Sequence, residues 1–283
     1  MTRRLALALA LAVAAASACS SGAESASDTT ATTAAEADDP TPTTTTTTAS
    51  PPDDGRPTVV LAGDSVMGNL APGIAAALGD QVHAPYLAQA RISGDAASDQ
   101  AWDQTIEEDD PELVVIHVGS WEVLSRDFRP GDPTWFEEYA TETLDPFVAQ
   151  VTSGGARVLF IGPAAARTEQ RTVNLISLNL ELTALAGRDE SVDFLNAGTY
   201  VNGPTGGFTE TLPGPDGVPV RIRRTDELGL HLCPAGVVRL ATPVLQWISD
   251  HLDEPVSLAD GWDHAAWTRP PDLEKPEQCP AVT

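Results

Sequence analysis

Thr58-Val59-Val60-Leu61-Ala62-Gly63-Asp64-Ser65-Val66-Met67-Gly68 is the stretch on which the reading of this chain turns. An apolar run, 59–62, stops abruptly at Gly63, and from Val66 onward Met67, Leu70, Ile74, Ala77 and Leu78 fall at helical spacing. The expected order is buried strand, tight turn, serine, helix. In open α/β sheets ligands bind in the crevice beyond the carboxyl ends of the strands. Ser65 would stand there, at or near a helix N-terminus whose unpaired N–H groups and positive dipole end stabilise an oxyanion. An Asp-Ser pair also makes a good N-cap, so these residues alone leave both a nucleophile and a helix cap open.

Outward from this stretch, strand and helix signals alternate. A second strand is expected at 81–88 and a helix at 98–106. The run at 113–118, apolar apart from His117, reads as a strand covered on both faces. Helix is expected through most of 132–151, strand at 156–161, helix at 172–186 and a last strand at 191–195. The alternation predicts an α/β domain of three layers, α/β/α, with a mainly parallel sheet flanked by helices. Most strands end at something small or polar: Gly63, Gly119-Ser120, Gly162-Pro163 and Asn196-Ala197-Gly198. These ends should line one crevice, with Ser65 and Gly119 as neighbours.

Residues 199–224 are punctuated by glycine and proline and read as a long loop with a short hairpin strand near 218–222. A loop of this length within a compact domain is often functional. It leads into Arg223-Arg224-Thr225-Asp226-Glu227-Leu228-Gly229-Leu230-His231-Leu232-Cys233-Pro234. Pro234 is suited to open a helix, and Val237, Leu240, Ala241, Val244, Leu245 and Ile248 give that helix an apolar face. His231 therefore lies on a loop before a terminal helix, with carboxylates just upstream, where it could complete a serine, histidine, acid set. His83, His117, His251 and His264 read as ordinary polar residues.

At the other end, Arg3-Arg4 followed by the apolar run 5–16 has the form of a secretory leader. Ala16-Ser17-Ala18-Cys19 resembles a bacterial lipobox, with Cys19 as the lipidated residue and residues 1–18 as the removed signal. A soluble secreted protein cut after Ala18 is the alternative. Residues 19–56, rich in Thr and Pro and without an aromatic side chain, cannot bury enough apolar surface to fold and read as a disordered spacer. The folded domain is expected at 57–283, with a Pro-rich tail from about 253. Membrane association through the anchor follows. The formal charge of −25 and the lack of a basic stripe argue against a nucleic-acid partner. With Cys19 assigned to lipid, Cys233 and Cys279 form an even pair, most simply a disulfide in an exported protein, the alternative being two buried thiols.

Taken together these motifs resemble the SGNH/GDSL hydrolases over roughly 57–252, and most closely the extracellular bacterial members related to the SGNH domains of polysaccharide O-acyltransferases. Gly63-Asp64-Ser65 matches the first block, which implies that Ser65 is the nucleophile. Arg91-Ile92-Ser93-Gly94 resembles the second, implying that the Gly94 N–H joins that of Ser65 in an oxyanion hole. Gly119-Ser120-Trp121-Glu122 occupies the third, where Trp121 stands in place of the family's oxyanion asparagine; Trp121 and Glu122 are candidate substrate-binding residues. Asp226 to His231 match the last. The family's acid lies three residues before the histidine, where this chain has Leu228; a two-residue insertion at Glu227-Leu228 makes Asp226 the acid, with Glu227 as alternative. The resemblance implies a serine esterase or O-acyltransferase without metal or cofactor, acting on small O-acyl esters, acetyl above all, such as those of cell-envelope glycans. No metal-spaced His/Cys cluster is visible. The alternative is a catalytically weak or inactive accessory module of the same fold that binds envelope polysaccharide, with Trp121, Trp135 and Tyr200 as sugar-stacking faces.

Overall fold

The computed structural model describes residues 55–88, 92, 96–124, 128–129, 132–264 and 275–282. The expected signal at 1–18, Cys19 and nearly all of the spacer at 19–56 lie outside the described residues. Five strands form one parallel sheet: β1 (Val59–Gly63), β2 (Tyr86–Ala88), β3 (Leu113–His117), β4 (Arg157–Gly162) and β5 (Val192–Asn196), in the order β2-β1-β3-β4-β5. The three-layer α/β/α class expected from the alternation is the one observed. β1 and β3 are buried along their whole length, as their unbroken apolar runs require of strands covered on both faces.

The helices are α1 (Ser65–Leu78), α2 (Ala96–Asp109), α3 (Ser120–Leu124), α4 (Pro133–Tyr139), α5 (Asp145–Val151), α6 (Glu169–Arg188), α7 (Gly198–Val201) and α8 (Pro234–His251). Right-handed crossovers put α1, which returns the chain to β2, on one face and the helices that advance the chain towards β5 on the other. The packing agrees: α1 lies on α8, α2 on α5, and α6 on α3 and α4. The chain reverses its direction across the sheet between β1 and β3. That switch point opens a crevice beyond their carboxyl ends, and Gly63 pairs in register with His117, so Ser65 and Gly119 leave adjacent strand ends.

Differences from the sequence reading have local causes. The second strand is three residues of half-exposed edge, preceded by a 3-10 turn at Gly79–Gln81. α2 outruns the expected 98–106 because its burial rests on Trp102, Thr105 and Asp109 and not on a regular apolar stripe. The helix expected through 132–151 is broken into α4, a π turn at Ala140–Leu144, and α5. Pro146 has no N–H for the carbonyl four residues back, and Asp145 N–H reaches back five residues to Ala140 O instead. The strand expected near 218–222 is β7 (Pro219–Arg221), paired antiparallel with β6 (Thr211–Pro213).

Candidate active site

The cap of α1 is Asp64, whose Oδ1 accepts the Val66 N–H at 2.8 Å. The Ser65 hydroxyl is thus released from capping, and its Oγ lies 2.8 Å from His231 Nε2. On the far side of the imidazole, Nδ1 is 3.0 Å from Asp226 Oδ2. Asp226 Oδ1 accepts the Gly229 N–H at 2.6 Å, which fixes the carboxylate plane. Glu227, the alternative acid, is 89% exposed and reaches towards Arg171. Burial pushes the Asp226 carboxyl up, but the hydrogen bond and charge of His231, the Gly229 N–H and Arg224 outweigh it and hold the group below the usual carboxylate range. Two glycines make this approach possible. Gly63 takes φ +128°, and a Cβ there would lie 2.3 Å from the His117 carbonyl; Gly229 takes φ +65°, and a Cβ there would lie 2.3 Å from the Phe208 ring.

The segment carrying His231 is a hairpin: Cys233 N–H donates to Ile222 O and Arg224 N–H to His231 O. Arg223 holds it from below. Its guanidinium is fully buried and donates to Ala165 O, Gly229 O, Val201 O and Asn202 Oδ1, drawing together the ends of β4 and α7 and the Asp226–His231 turn. Burial lowers its pKa to about 10, against the charge of Asp226, so it stays cationic at neutral pH. Arg167 binds the same turn through Asp226 O and Arg224 O. Asn69 of α1 accepts the Leu232 N–H at 3.0 Å and ties the histidine segment to the helix that carries Ser65. Arg167, Arg223 and Asn69 act over long sequence separations, and only the cluster of arginines beside His231 signals them in the sequence.

A second group lies behind the serine. His117 is buried, with Nδ1 2.9 Å from Asp64 Oδ1 but without the alignment of a hydrogen bond. Glu122 turns its carboxyl inward, where Oε2 accepts the Gly119 N–H at 2.6 Å, so that group is engaged within the protein. Burial first, then the charge of Asp64, push Glu122 up to about 7, against the Gly119 hydrogen bond and His117. The consequence for stability has a definite sign. The native state keeps this proton to about pH 7 while the unfolded chain releases it near 4.5, so the native state loses stability as pH rises between those values, by about 3 kcal/mol at most. Asp226 acts in a lower window, its contribution being lost only in acid. Urea unfolding at pH 5 and pH 8 should therefore give a fall in the parent that Glu122→Gln removes; equal falls in both proteins would contradict the assignment.

Of the other residues read from the sequence, Gly94 lies outside the described residues, as do Arg91 and Ser93. Trp121 and Glu122 both sit on α3. Trp135 is 8% exposed, stacked on Tyr139 and edge-on to Phe128 and Phe136, and Tyr200 packs half-buried against the core; the aromatic platform drawn from these two is not an open ring surface. Cys233 and Cys279 are joined in a disulfide. Among the described residues no three His, Cys, Asp or Glu side chains converge as metal ligands, and no helix is long and apolar enough to cross a membrane.

The chain is similar to a number of solved structures. A GDSL-like lipase from Bacteroides thetaiotaomicron is 17% identical, with 69% of this chain and 89% of that chain covered at a TM-score of 0.45. A catalytic mutant of an acetylxylan esterase from Geobacillus stearothermophilus is 12% identical, with 68% and 94% covered at 0.47. A salicylyl-acyltransferase from a tetracycline biosynthetic pathway is 14% identical, with 70% and 56% covered at 0.41. No curated protein matches the sequence. One family model spans residues 58–247, from the start of β1 into α8, and the chain belongs to that family, described as Protein of unknown function (DUF459).

Proposed function

We propose that the chain is a serine esterase or O-acyltransferase of the SGNH/GDSL type, working through an acyl-enzyme on Ser65. The observation that carries this is the unbroken series Ser65 Oγ, His231 imidazole, Asp226 carboxylate at 2.8 and 3.0 Å. As Oγ attacks the acyl carbonyl, His231 Nε2 takes its proton, and Asp226 holds the ring in the right tautomer and stabilises the imidazolium. The tetrahedral intermediate collapses, the C–O bond to the leaving alcohol breaks, and His231 returns the proton to that oxygen. Water or an acceptor hydroxyl then repeats the sequence on the acyl-enzyme, giving hydrolysis or transfer. The N–H of Ser65, at the unpaired start of α1, and that of Gly94 are the proposed oxyanion donors. Turnover of a short-chain aryl ester by the parent protein tests this, and a rate no higher than in buffer alone overturns it.

The substrate proposed is a small O-acyl ester, acetyl above all, on an envelope glycan outside the cytoplasm. The leader, the Thr/Pro-rich spacer at 19–56 and the disulfide support export. Cys19 is the proposed lipid attachment point. Growth on labelled fatty acid should label the protein, and Cys19→Ser should abolish the label; a label that persists would exclude this anchor.

A further inference from the structure

Phe208, in the loop between α7 and β6, takes no part in the proton path from Ser65 to Asp226, yet its half-buried ring meets three of the residues that hold the acid's turn. The guanidinium carbon of Arg167 lies over the ring at 4.7 Å from its centroid, and that of Arg223 at 5.4 Å. Arg167 donates to Asp226 O and Arg224 O, and Arg223 to Gly229 O, so two cations that grip the 224–229 turn share one aromatic ring. Gly229, whose N–H fixes the Asp226 carboxylate, lies against the same ring: a Cβ there would be 2.3 Å from Phe208 Cε2. The loop is tied to the same arginines on either side of Phe208. Asn202 Oδ1 accepts from the Arg223 guanidinium at 2.8 Å, and Glu210 Oε1 from that of Arg167 at 2.7 Å.

We infer that Phe208 is a positioning residue of the catalytic set: its ring face holds Arg167 and Arg223 together, and its packing on Gly229 fixes the turn that presents Asp226 to His231. An aliphatic side chain of similar size would not serve. Arg223 is fully buried, and its four acceptors, Ala165 O, Gly229 O, Val201 O and Asn202 Oδ1, are all neutral. Arg167 has Glu210 as a contacting counter-charge, whereas Arg223 touches no carboxylate among the described residues. Two guanidinium groups over one ring repel each other, and the negative face of the ring offsets that repulsion, most strongly where water is excluded. The inference rests on the ester chemistry assigned to Ser65, and the test separates the two.

Phe208 in the full chain is replaced by phenylalanine carrying one, two and three ring fluorines, each of which drains the negative face while scarcely changing the size of the ring. The Gly229 amide proton, which donates to Asp226, should exchange with solvent progressively faster, by about tenfold at three fluorines, the weight of one well-desolvated cation–π contact. Over the same series kcat for p-nitrophenyl acetate should fall by about tenfold, with KM changed by less than about twofold because the ring acts on the turn and not on the ester. Phe208→Leu, which fills space without a π face, should lose at least as much. Constant Gly229 exchange across the fluorinated series would overturn the positioning role, and so would a loss carried by KM alone. Graded exchange in a protein whose parent turns over no ester would overturn the chemistry at Ser65 and keep the role of Phe208 in holding the turn.

Discussion

Ser65→Ala should lower kcat for a short-chain aryl ester by on the order of a million-fold, the loss seen when the nucleophile of such a set is removed. The thermal midpoint should stay close to the parent value. Ser65 does not cap α1, since Asp64 does, and its hydroxyl has His231 as its partner, so the substitution deletes one hydrogen bond and little packing. His231→Ala should cost about as much, and the double variant little more than either, because the two groups work as one unit. Additive losses would mean that His231 does not take the Ser65 proton. Comparable turnover by Ser65→Ala would remove the nucleophile assignment altogether.

The second large effect concerns Cys233–Cys279, a bridge that closes a separation of 46 residues. A loop of that length corresponds to roughly 4 kcal/mol by the chain-entropy model. For a domain of this size that lowers the melting temperature by about 10 °C on reduction or in Cys279→Ser. The bridge also bears on the site, because Cys233 follows His231 by two residues and the tail it holds is hydrogen-bonded to the same region, Thr225 N–H to Gln278 O and Arg221 Nε to Pro280 O. Asp226 adjoins Thr225. A displacement near 1 Å in such a set costs on the order of 100-fold in rate, so esterase activity should fall along with the midpoint. A lowered midpoint with unchanged activity would show that Arg223, Arg167 and Asn69 hold the histidine hairpin without the bridge. Two titratable thiols in the unreduced protein would contradict the bridge itself.

How much of this was legible in the sequence follows from how local each cause is. β1, β3 and β4 announce themselves because strands covered on both faces need apolar runs, α8 because it buries one regular stripe, and α1 because its apolar residues recur at helical spacing although the helix is buried on nearly every side. β2 is an edge, half exposed, and its residues carry no such signature. The strand order cannot be read from spacing, although it sets the switch point at which Ser65 and Gly119 meet. Within the site, Ser65 and His231 could be found from the strand-turn-helix break and the helix-opening Pro234. The choice of Asp226 over Glu227 needed the Gly229 turn, which swings one carboxylate onto the imidazole and leaves the other in solvent. In the sequence His117 reads as an ordinary polar residue, because the Asp64 carboxylate it faces lies beyond the end of a different strand. The bond from the Gly119 N–H to Glu122 spans three residues, as an N3 carboxylate reaches back to the N-cap, whereas the grip of Arg223 on three separate backbone carbonyls is a product of packing.

If Ser65 is a nucleophile activated by His231, treating the native protein with a fluorophosphonate and mapping the adduct by peptide mass will show it. The expected result is a single adduct on Ser65, formed slowly or not at all in His231→Ala and lost when the protein is unfolded before labelling. Absence of any adduct on the folded parent, or an adduct on another residue with Ser65 unmodified, would contradict it.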